Sequence, residues 1–346
     1  MPGTLGASVL CLGPVGIDIV MEGYAPTDPE RLSTWAGPVE MRMLAAGSVG
    51  YVALALSGLD RPVTLVSTVG DDHLGHEILT QLNDAGVATE NVERASGPTS
   101  VAAYLRMFGD AKRPMVFRAA GYAPWPTAST VTELLRRLEP AALIVSGALH
   151  FPDYCATEMG PVMGAARALG IPTMLDPQFP PEKRDLPWAH DLERVLRSTD
   201  VLCCDEIEGD HLFGSSDVDE IIRCARSRGI DTVIVKREHL GSVIDVADVR
   251  LYQPAVPLGG GVGSTIGSGD AFLAGYVDAF LRGESQHNAV GWATAVAAAA
   301  ISNPDGVRGV TASDAARLRM SVPNAHNLPT ALPPARLNAP LESEKN

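Results

Sequence analysis

The residues best suited to chemistry lie late in the chain, at Gly263-Ser264-Thr265-Ile266-Gly267-Ser268-Gly269-Asp270, directly before the apolar run Ala271-Phe272-Leu273-Ala274-Gly275-Tyr276. A glycine-rich turn that opens an apolar helix presents unpaired backbone N–H groups at the positive end of the helix dipole, which is an anion site. Glycine lets a phosphate come close to the backbone. A carboxylate there repels an anion. Asp270 makes sense as a base that takes a proton while the amides hold a developing negative charge. The competing reading is an aspartate that caps an ordinary helix.

Composition narrows the classes. The chain has 346 residues, 46% hydrophobic and 20% charged, enough for one large domain or one with a small appendage. No apolar run reaches the ~18–20 residues that span a bilayer, so no membrane partner is expected. The first residues lack the basic stretch of a signal peptide and read as the approach to a first strand. The five cysteines form no C-x-x-C pair, and their odd number suits buried thiols of a cytoplasmic protein rather than disulfides or zinc. A net charge of −14 argues against a nucleic-acid partner, since phosphate backbones demand basic surfaces.

Elements that position the motif can be read from periodicity. Short β-rich runs occur at Ser8–Leu12, Val63–Val66, Ala142–Val145, Thr173–Leu175, Val201–Cys204 and Thr232–Val235. Helical patterns at Gly50–Ser57, Leu74–Ala85, Val131–Leu138, Ala156–Leu169, Leu192–Arg197 and Val218–Arg228 fall between most of them. Alternation of this kind predicts an α/β fold with a parallel sheet covered on both faces and ligands beyond the carboxyl ends of its strands. Segments 19–45 and 99–122 alternate like exposed strands and predict a small β lid. Residues 284–301 form an alanine-rich buried helix. The proline-rich tail, 323–346, predicts disorder.

A Walker-type phosphate loop is absent, and the glycine-rich motif lies far beyond the first strand, where a dinucleotide fingerprint would sit. Residues 264–270 instead resemble the D-T-x-G-A-G-D signature of the ribokinase/PfkB carbohydrate kinases. Further blocks follow in order. Gly13-Pro14-Val15-Gly16-Ile17-Asp18 is similar to G-x-x-x-x-D, and Ala46-Gly47-Ser48-Val49-Gly50-Tyr51 to the start of G-G-x-x-x-N. Val69-Gly70-Asp71-Asp72-His73-Leu74-Gly75 resembles V-G-x-D-x-x-G, and Asp176-Pro177-Gln178 and Asp205-Glu206-Ile207-Glu208 resemble D-x-N and N-x-x-E. The resemblance covers about residues 8–320. It implies a ribokinase-like three-layer sandwich with a mostly parallel central sheet, the kinase domain ending near residue 322, and ATP-dependent phosphorylation of a sugar hydroxyl.

The resemblance also implies roles. Asp270 would be the base, with the amides of Gly267, Ser268 and Gly269 as the anion hole. Asp18, Gly47, Ser48, Tyr51, Tyr104 and Arg118 would meet the acceptor. Asp205, Lys236, Thr265, Gly267, Gly269 and Asn303 would meet ATP, and Asp205 and Glu208 would order Mg²⁺ through water. Structural alternatives stand beside several of these: a turn aspartate at Asp18, helix-start packing at Gly47, a helix-start acidic pair favoured by the dipole at Asp205 and Glu208, an exposed strand-end lysine at Lys236, a C-cap at Asn303. Asp71 and Asp72 read as turn residues.

Departures from the pattern fall on recognition. Ser264 replaces an aspartate that helps hold an activating monovalent cation, so potassium dependence is not implied. Tyr51 replaces a substrate-binding asparagine and would offer the acceptor a ring face and one hydroxyl. Glu238 stands where a glycine is expected. Tyr104, Arg106, Arg113 and Arg118 in the lid suit an anionic acceptor, or else are ordinary edge-strand charge. Tyr122 and Trp125 would stack on the acceptor or pack the lid. The leading expectation is a kinase acting on a small sugar-like molecule, dimeric through its lid. A nucleoside kinase of the same superfamily and a catalytically silent binding protein are the alternatives.

Overall fold

The computed structural model describes residues 8–108, 115–118, 125–150, 152–178, 187–247, 249–258 and 265–328. The strands are β1 (Val9–Leu12), β2 (Gly16–Gly23), β3 (Val39–Ala46), β4 (Val63–Gly70), β5 (Val87–Ala95), β6 (Val101–Arg106), β7 (Met115–Arg118), β8 (Ala142–Ser146), β9 (Thr173–Asp176), β10 (Val201–Asp205), β11 (Thr232–Lys236), β12 (Ser242–Val246), β13 (Val249–Gln253) and β14 (His326–Asn327). Among the described residues the main sheet runs β14-β13-β12-β11-β10-β9-β8-β1-β4-β5, and a smaller one runs β3-β2-β6-β7. The pairings from β5 to β11 in the main sheet are parallel, and β12 to β14 close that edge antiparallel.

Alternation along the strands builds the layers. Val9 and Cys11 of β1 enter one apolar cluster, while Leu10 and Leu12 enter the other. The first cluster is covered by helices Ser48–Gly58, Ser268–Leu281 and Gln286–Ser302, the second by helices that include Ala128–Leu138, Gly160–Ala168 and Val218–Arg226. A strand buried on both faces reads as a continuous apolar run, which is why the core strands stand out in the sequence. The alanine-rich helix packs closely, as its composition requires: a Cβ on Gly275 would lie 2.8 Å from the Ala293 Cα.

The expected strands and helices are present with small shifts. The helix expected over 156–169 is interrupted: a turn at Pro152–Tyr154 leads into a π-helical stretch, Cys155–Met159, before Gly160–Ala168. Pro161 explains it, because its ring lacks an N–H and crowds the preceding turn. The tail is corrected at its start. Residues 323–328 are ordered by β14 pairing with β13 and by Gln253 donating to the Pro323 carbonyl at 2.9 Å; 329–346 lie outside the described residues. Within them no helix is long and apolar enough to cross a membrane.

Candidate active site

Asp270 is the third residue of helix Ser268–Leu281, whose N-cap, Gly267, has φ 73°. A Cβ on Gly267 would come within 2.6 Å of Val307 and 3.0 Å of the Tyr51 ring, so the turn accepts only glycine. The amides of Gly267 and Gly269 donate to nothing among the described residues. The Ser268 amide differs from expectation: its N–H donates to the Thr265 carbonyl at 3.2 Å, and its Oγ donates to the same oxygen at 2.9 Å. Ser268 thus closes the turn that leaves its neighbours' amides open. Ser264 and Arg113 lie outside the described residues, as does Tyr122.

Buried charges surround Asp270. Lys236 ends β11, and its ammonium lies 3.6 Å from Asp176 and 3.7 Å from Glu208. It also lies beside the helix start, 3.2 Å from where a Gly269 Cβ would be. The reading of Lys236 as an exposed strand-end residue is therefore corrected. Gln178 donates from Nε2 to Asp270 Oδ1 at 3.0 Å and to Asp176 Oδ2 at 3.3 Å. It does so from a left-handed backbone, φ 58°, which costs a side-chain-bearing residue about 1 kcal/mol or more. The other Asp176 oxygen is buried without a partner.

Burial raises the Asp270 pKa well above the carboxylate range; the Asp176 charge adds to this and Lys236 opposes it. Burial likewise lifts Glu208 to about 8, against the pull of Lys236. Burial alone would lower Lys236, but Asp176 and Glu208 outweigh it and hold the ammonium charged.

Asp205 and Glu208 form a reciprocal cap on helix Glu206–Phe213. Asp205 Oδ1 accepts from the Glu208 amide, and Glu208 Oε2 from the Asp205 amide, each at 2.7 Å. No cluster of metal-ligating side chains converges among the described residues. This donor set fits a Mg²⁺ that keeps its own waters and is reached through them.

Three of the residues expected to meet the acceptor, Asp18, Tyr104 and Arg118, stand on the small sheet. Asp18 of β2 is buried, and the Tyr51 hydroxyl donates to its Oδ2. Burial raises Asp18 to about 6, with the tyrosine bond acting the other way. The Tyr51 hydroxyl is thus directed at Asp18 rather than offered to an acceptor, which the sequence does not reveal. Tyr104, opposite Val20 in register, shares the Asp18 face. On the same face Glu22 accepts from both Arg42, at 2.7 Å, and Arg106; Arg42 carries no motif signal.

Other expected residues fall elsewhere. Arg118 lies opposite Val101, which pairs with Ile17, so it occupies the face away from Asp18 and donates to the Thr99 carbonyl at 2.8 Å. The space that Gly47 leaves is filled by chain, since a Cβ there would meet the Pro14 carbonyl and Val15 Cα at 2.7 Å. Gly47 therefore serves packing, at φ 88°. The Ser48 hydroxyl is buried over Gly147. Asn303 caps helix Gln286–Ser302, accepts from the Asp305 amide and donates to the Gly309 carbonyl. Asp72 caps helix His73–Asp84 and ties down Thr99, a turn role as expected.

A proton acceptor, open helix-start amides and a buried ammonium in one place form the equipment of phosphoryl transfer, in which positioning and charge stabilisation do the work. The fold and this site define a sugar kinase of the ribokinase-like class. The model for the pfkB family of carbohydrate kinases matches residues 7–311, and the chain belongs to that family. It is 24% identical over 242 residues to a 2-dehydro-3-deoxygluconokinase of Dickeya dadantii, covering 66% of this chain and 76% of that one. A nucleoside kinase of Methanothermobacter thermautotrophicus is 27% identical over 257 residues, covering 74% and 78%. Among solved structures, an Arabidopsis thaliana ribokinase complexed with ribose and ATP aligns with a TM-score of 0.72 at 20% identity, over 91% of this chain and 99% of that one. An E. coli chain solved with ATP and Mg²⁺ gives 0.76 at 20% identity, with the same coverage.

Proposed function

We propose that the protein transfers the γ-phosphate of ATP to a hydroxymethyl group of a sugar acid. The observation that carries the mechanism is Asp270 set beside open amides at a helix start, with Gln178 donating to the carboxylate and Lys236, paired with Asp176 and Glu208, beside the helix start. The acceptor O–H gives its proton to Asp270 as its oxygen bonds to the γ-phosphorus. The bond from that phosphorus to the bridging oxygen breaks, and ADP leaves. The amides of Gly267 and Gly269 take the charge on the transferring group, and Lys236 adds a fixed positive charge beside them. Mg²⁺, when bound, would neutralise the phosphates, and Asp205 and Glu208 would hold it through its waters.

The names of its relatives favour an acidic acceptor. Relatives in Dickeya dadantii, Haloferax volcanii and Thermoproteus tenax are named as kinases of 2-dehydro-3-deoxy sugar acids. The nucleoside reading loses its platform: Trp125 packs on Tyr154 with ring centroids 5.9 Å apart, and Tyr51 is buried. The experiment is an ATP-consumption screen across sugar acids, sugars, sugar phosphates and nucleosides, with and without potassium. Turnover fastest with a sugar acid is expected; turnover confined to nucleosides refutes the reading.

The small sheet is also the dimer surface in this reading. Its face away from Asp18 carries Met41, Met43 and Val116, respectively 62%, 45% and 59% exposed, in register with Ile19, Met21 and Ala103. Sedimentation should give a dimer that Met43→Glu weakens; a wild-type monomer at micromolar concentration refutes it.

A further inference from the structure

The fully buried Asp176 carboxylate, at the end of β9, is more than the local structure needs. The junction of β8 and β9 is made by backbone: the Gly147 amide donates to the Asp176 carbonyl at 2.9 Å, and the Leu149 amide to the Pro177 carbonyl at 3.0 Å. Lys236 has a second buried partner in Glu208, at 3.7 Å. One Asp176 oxygen has no hydrogen-bond partner among the described residues. Three buried carboxylates, Asp176, Glu208 and Asp270, thus stand around one ammonium. A cluster that served stability alone would match its charges, because each unpaired buried charge is costly.

What Asp176 does have is a link to Asp270. A single nitrogen, Gln178 Nε2, donates to Asp176 Oδ2 at 3.3 Å and to Asp270 Oδ1 at 3.0 Å. Both of its N–H groups are used, and turning the amide over would face its carbonyl oxygen at two carboxylates. Two like charges held on one nitrogen oppose each other's ionisation.

We infer that Asp176 is a positioning residue for the base: its charge, held against Asp270 through the Gln178 amide, makes Asp270 a stronger proton acceptor than a carboxylate standing alone. This rests on the kinase reading for the use made of Asp270, and it adds what sets the strength of that base. The other charged groups that act on Asp270 are Lys236 from β11, Glu208 from helix Glu206–Phe213 and Asp18 from β2. Tyr51 and Cys203 also face it, and burial pushes both up so that they stay neutral. After burial itself, Asp176 does most to raise the Asp270 pKa.

Asp176→Asn tests it, because the charge goes while the shape and the Lys236–Glu208 pair stay. Asp270 is titrated without nucleotide or metal by carbon-13 NMR of protein labelled at the aspartate carboxyl carbon, its resonance assigned by its loss in Asp270→Asn. Its midpoint should fall by about one pH unit or more in Asp176→Asn, the scale of a unit charge at this separation inside a protein. Asp176→Ser removes the same charge with a smaller side chain and should move it the same way. In turnover the acid limb should move to lower pH while the plateau falls, since the base is weaker. The loss is then greatest at alkaline pH, the reverse of what removing the Gln178 amide should do. A midpoint within about 0.3 pH unit of wild type, or one that rises, overturns the inference, as does a turnover loss equal at every pH. A wild-type Asp270 that titrates in the ordinary carboxylate range overturns it without need of a variant. A midpoint that moves as stated in a protein that phosphorylates none of the screened acceptors refutes the kinase reading and leaves the tuning of Asp270 standing.

Discussion

The proposed phosphoryl end of the site and its proposed acceptor end are held by different means. At the phosphoryl end, Asp176, Gln178, Glu208, Lys236 and Asp270 come from strand ends and a helix start, are largely buried, and bind one another. At the acceptor end the groups stand on a four-stranded sheet whose last strand exposes Val116 and Phe117, and its ion pairs are partly solvated. A cross-linked cluster of buried charges has one arrangement, because any member left unpaired is costly. A thin sheet with solvated pairs can change residues cheaply. In the proposed reading the chemistry is fixed on the cross-linked part, and the choice of acceptor is carried by the adaptable part.

The comparison breaks most readily at Asp270. Asp270→Asn removes the base but leaves the open amides, so turnover should fall by ~10²–10⁴ while nucleotide binding, read by titration, stays within a few-fold. Near-normal turnover would remove Asp270 from the chemistry and with it the distinction between the two ends.

Lys236→Met leaves Asp176 and Glu208 facing each other without a cation. Loss of one partner from a buried pair costs ~3–5 kcal/mol, to be read by denaturant unfolding. The pH dependence carries a sign. Glu208 has a folded pKa of about 8 against an ordinary 4.5, so the folded state holds its proton more tightly than the unfolded chain. Its stabilising contribution is complete below pH 4.5 and is lost as pH rises through about 8. Without Lys236 that decline should steepen. An equally stable variant would show that the phosphoryl end is no more constrained than the acceptor end.

Gln178→Leu takes the amide away from Asp270 and from Asp176. Asp270 must be ionised to accept a proton, and its raised pKa places the acid limb of kcat above the ordinary carboxylate range. The Gln178 amide favours the ionised form, so its removal should move that limb to still higher pH. Activity at alkaline pH should change less than activity at neutral pH. A uniform loss at every pH would instead mean that Gln178 is needed for shape only.

Much of this was legible. The strands of the central sheet announce themselves as apolar runs, and the glycine-rich motif puts Asp270 at a helix start, where the structure has it. What stayed hidden has physical causes. Strand β5 is at the edge of the sheet and carries polar residues, so neither a buried-strand run nor clean alternation marks it. Whether Arg118 faces the site depends on strand register, which a one-residue change reverses. Arg42 and Gln178 act across long sequence separations, Gln178 reaching a residue 92 positions away. Tyr51 stands beside Asp18, and the direction of its hydroxyl is a tertiary fact.

The smallest effect compares two residues that share an unusual backbone. Gln178 has φ 58° and Glu238 has φ 49°, a region that suits glycine. The exposed Glu238 side chain heads the short turn Glu238–Leu240, while Gln178 holds Asp270 and Asp176. Glycine relieves the strain at either position but adds freedom to the unfolded chain, so the net gain at Glu238 should be ~0.5–1 kcal/mol. Glu238→Gly should therefore unfold at slightly higher denaturant concentration with activity unchanged. Gln178→Gly gains the same relief and should nonetheless lose activity, with its acid limb displaced as in Gln178→Leu. If both variants behave alike, the left-handed backbone at Gln178 is incidental. If they part as stated, the strain at Gln178 is sustained by the bonds its side chain makes to Asp270 and Asp176, which is the constraint that sets the proposed phosphoryl end apart.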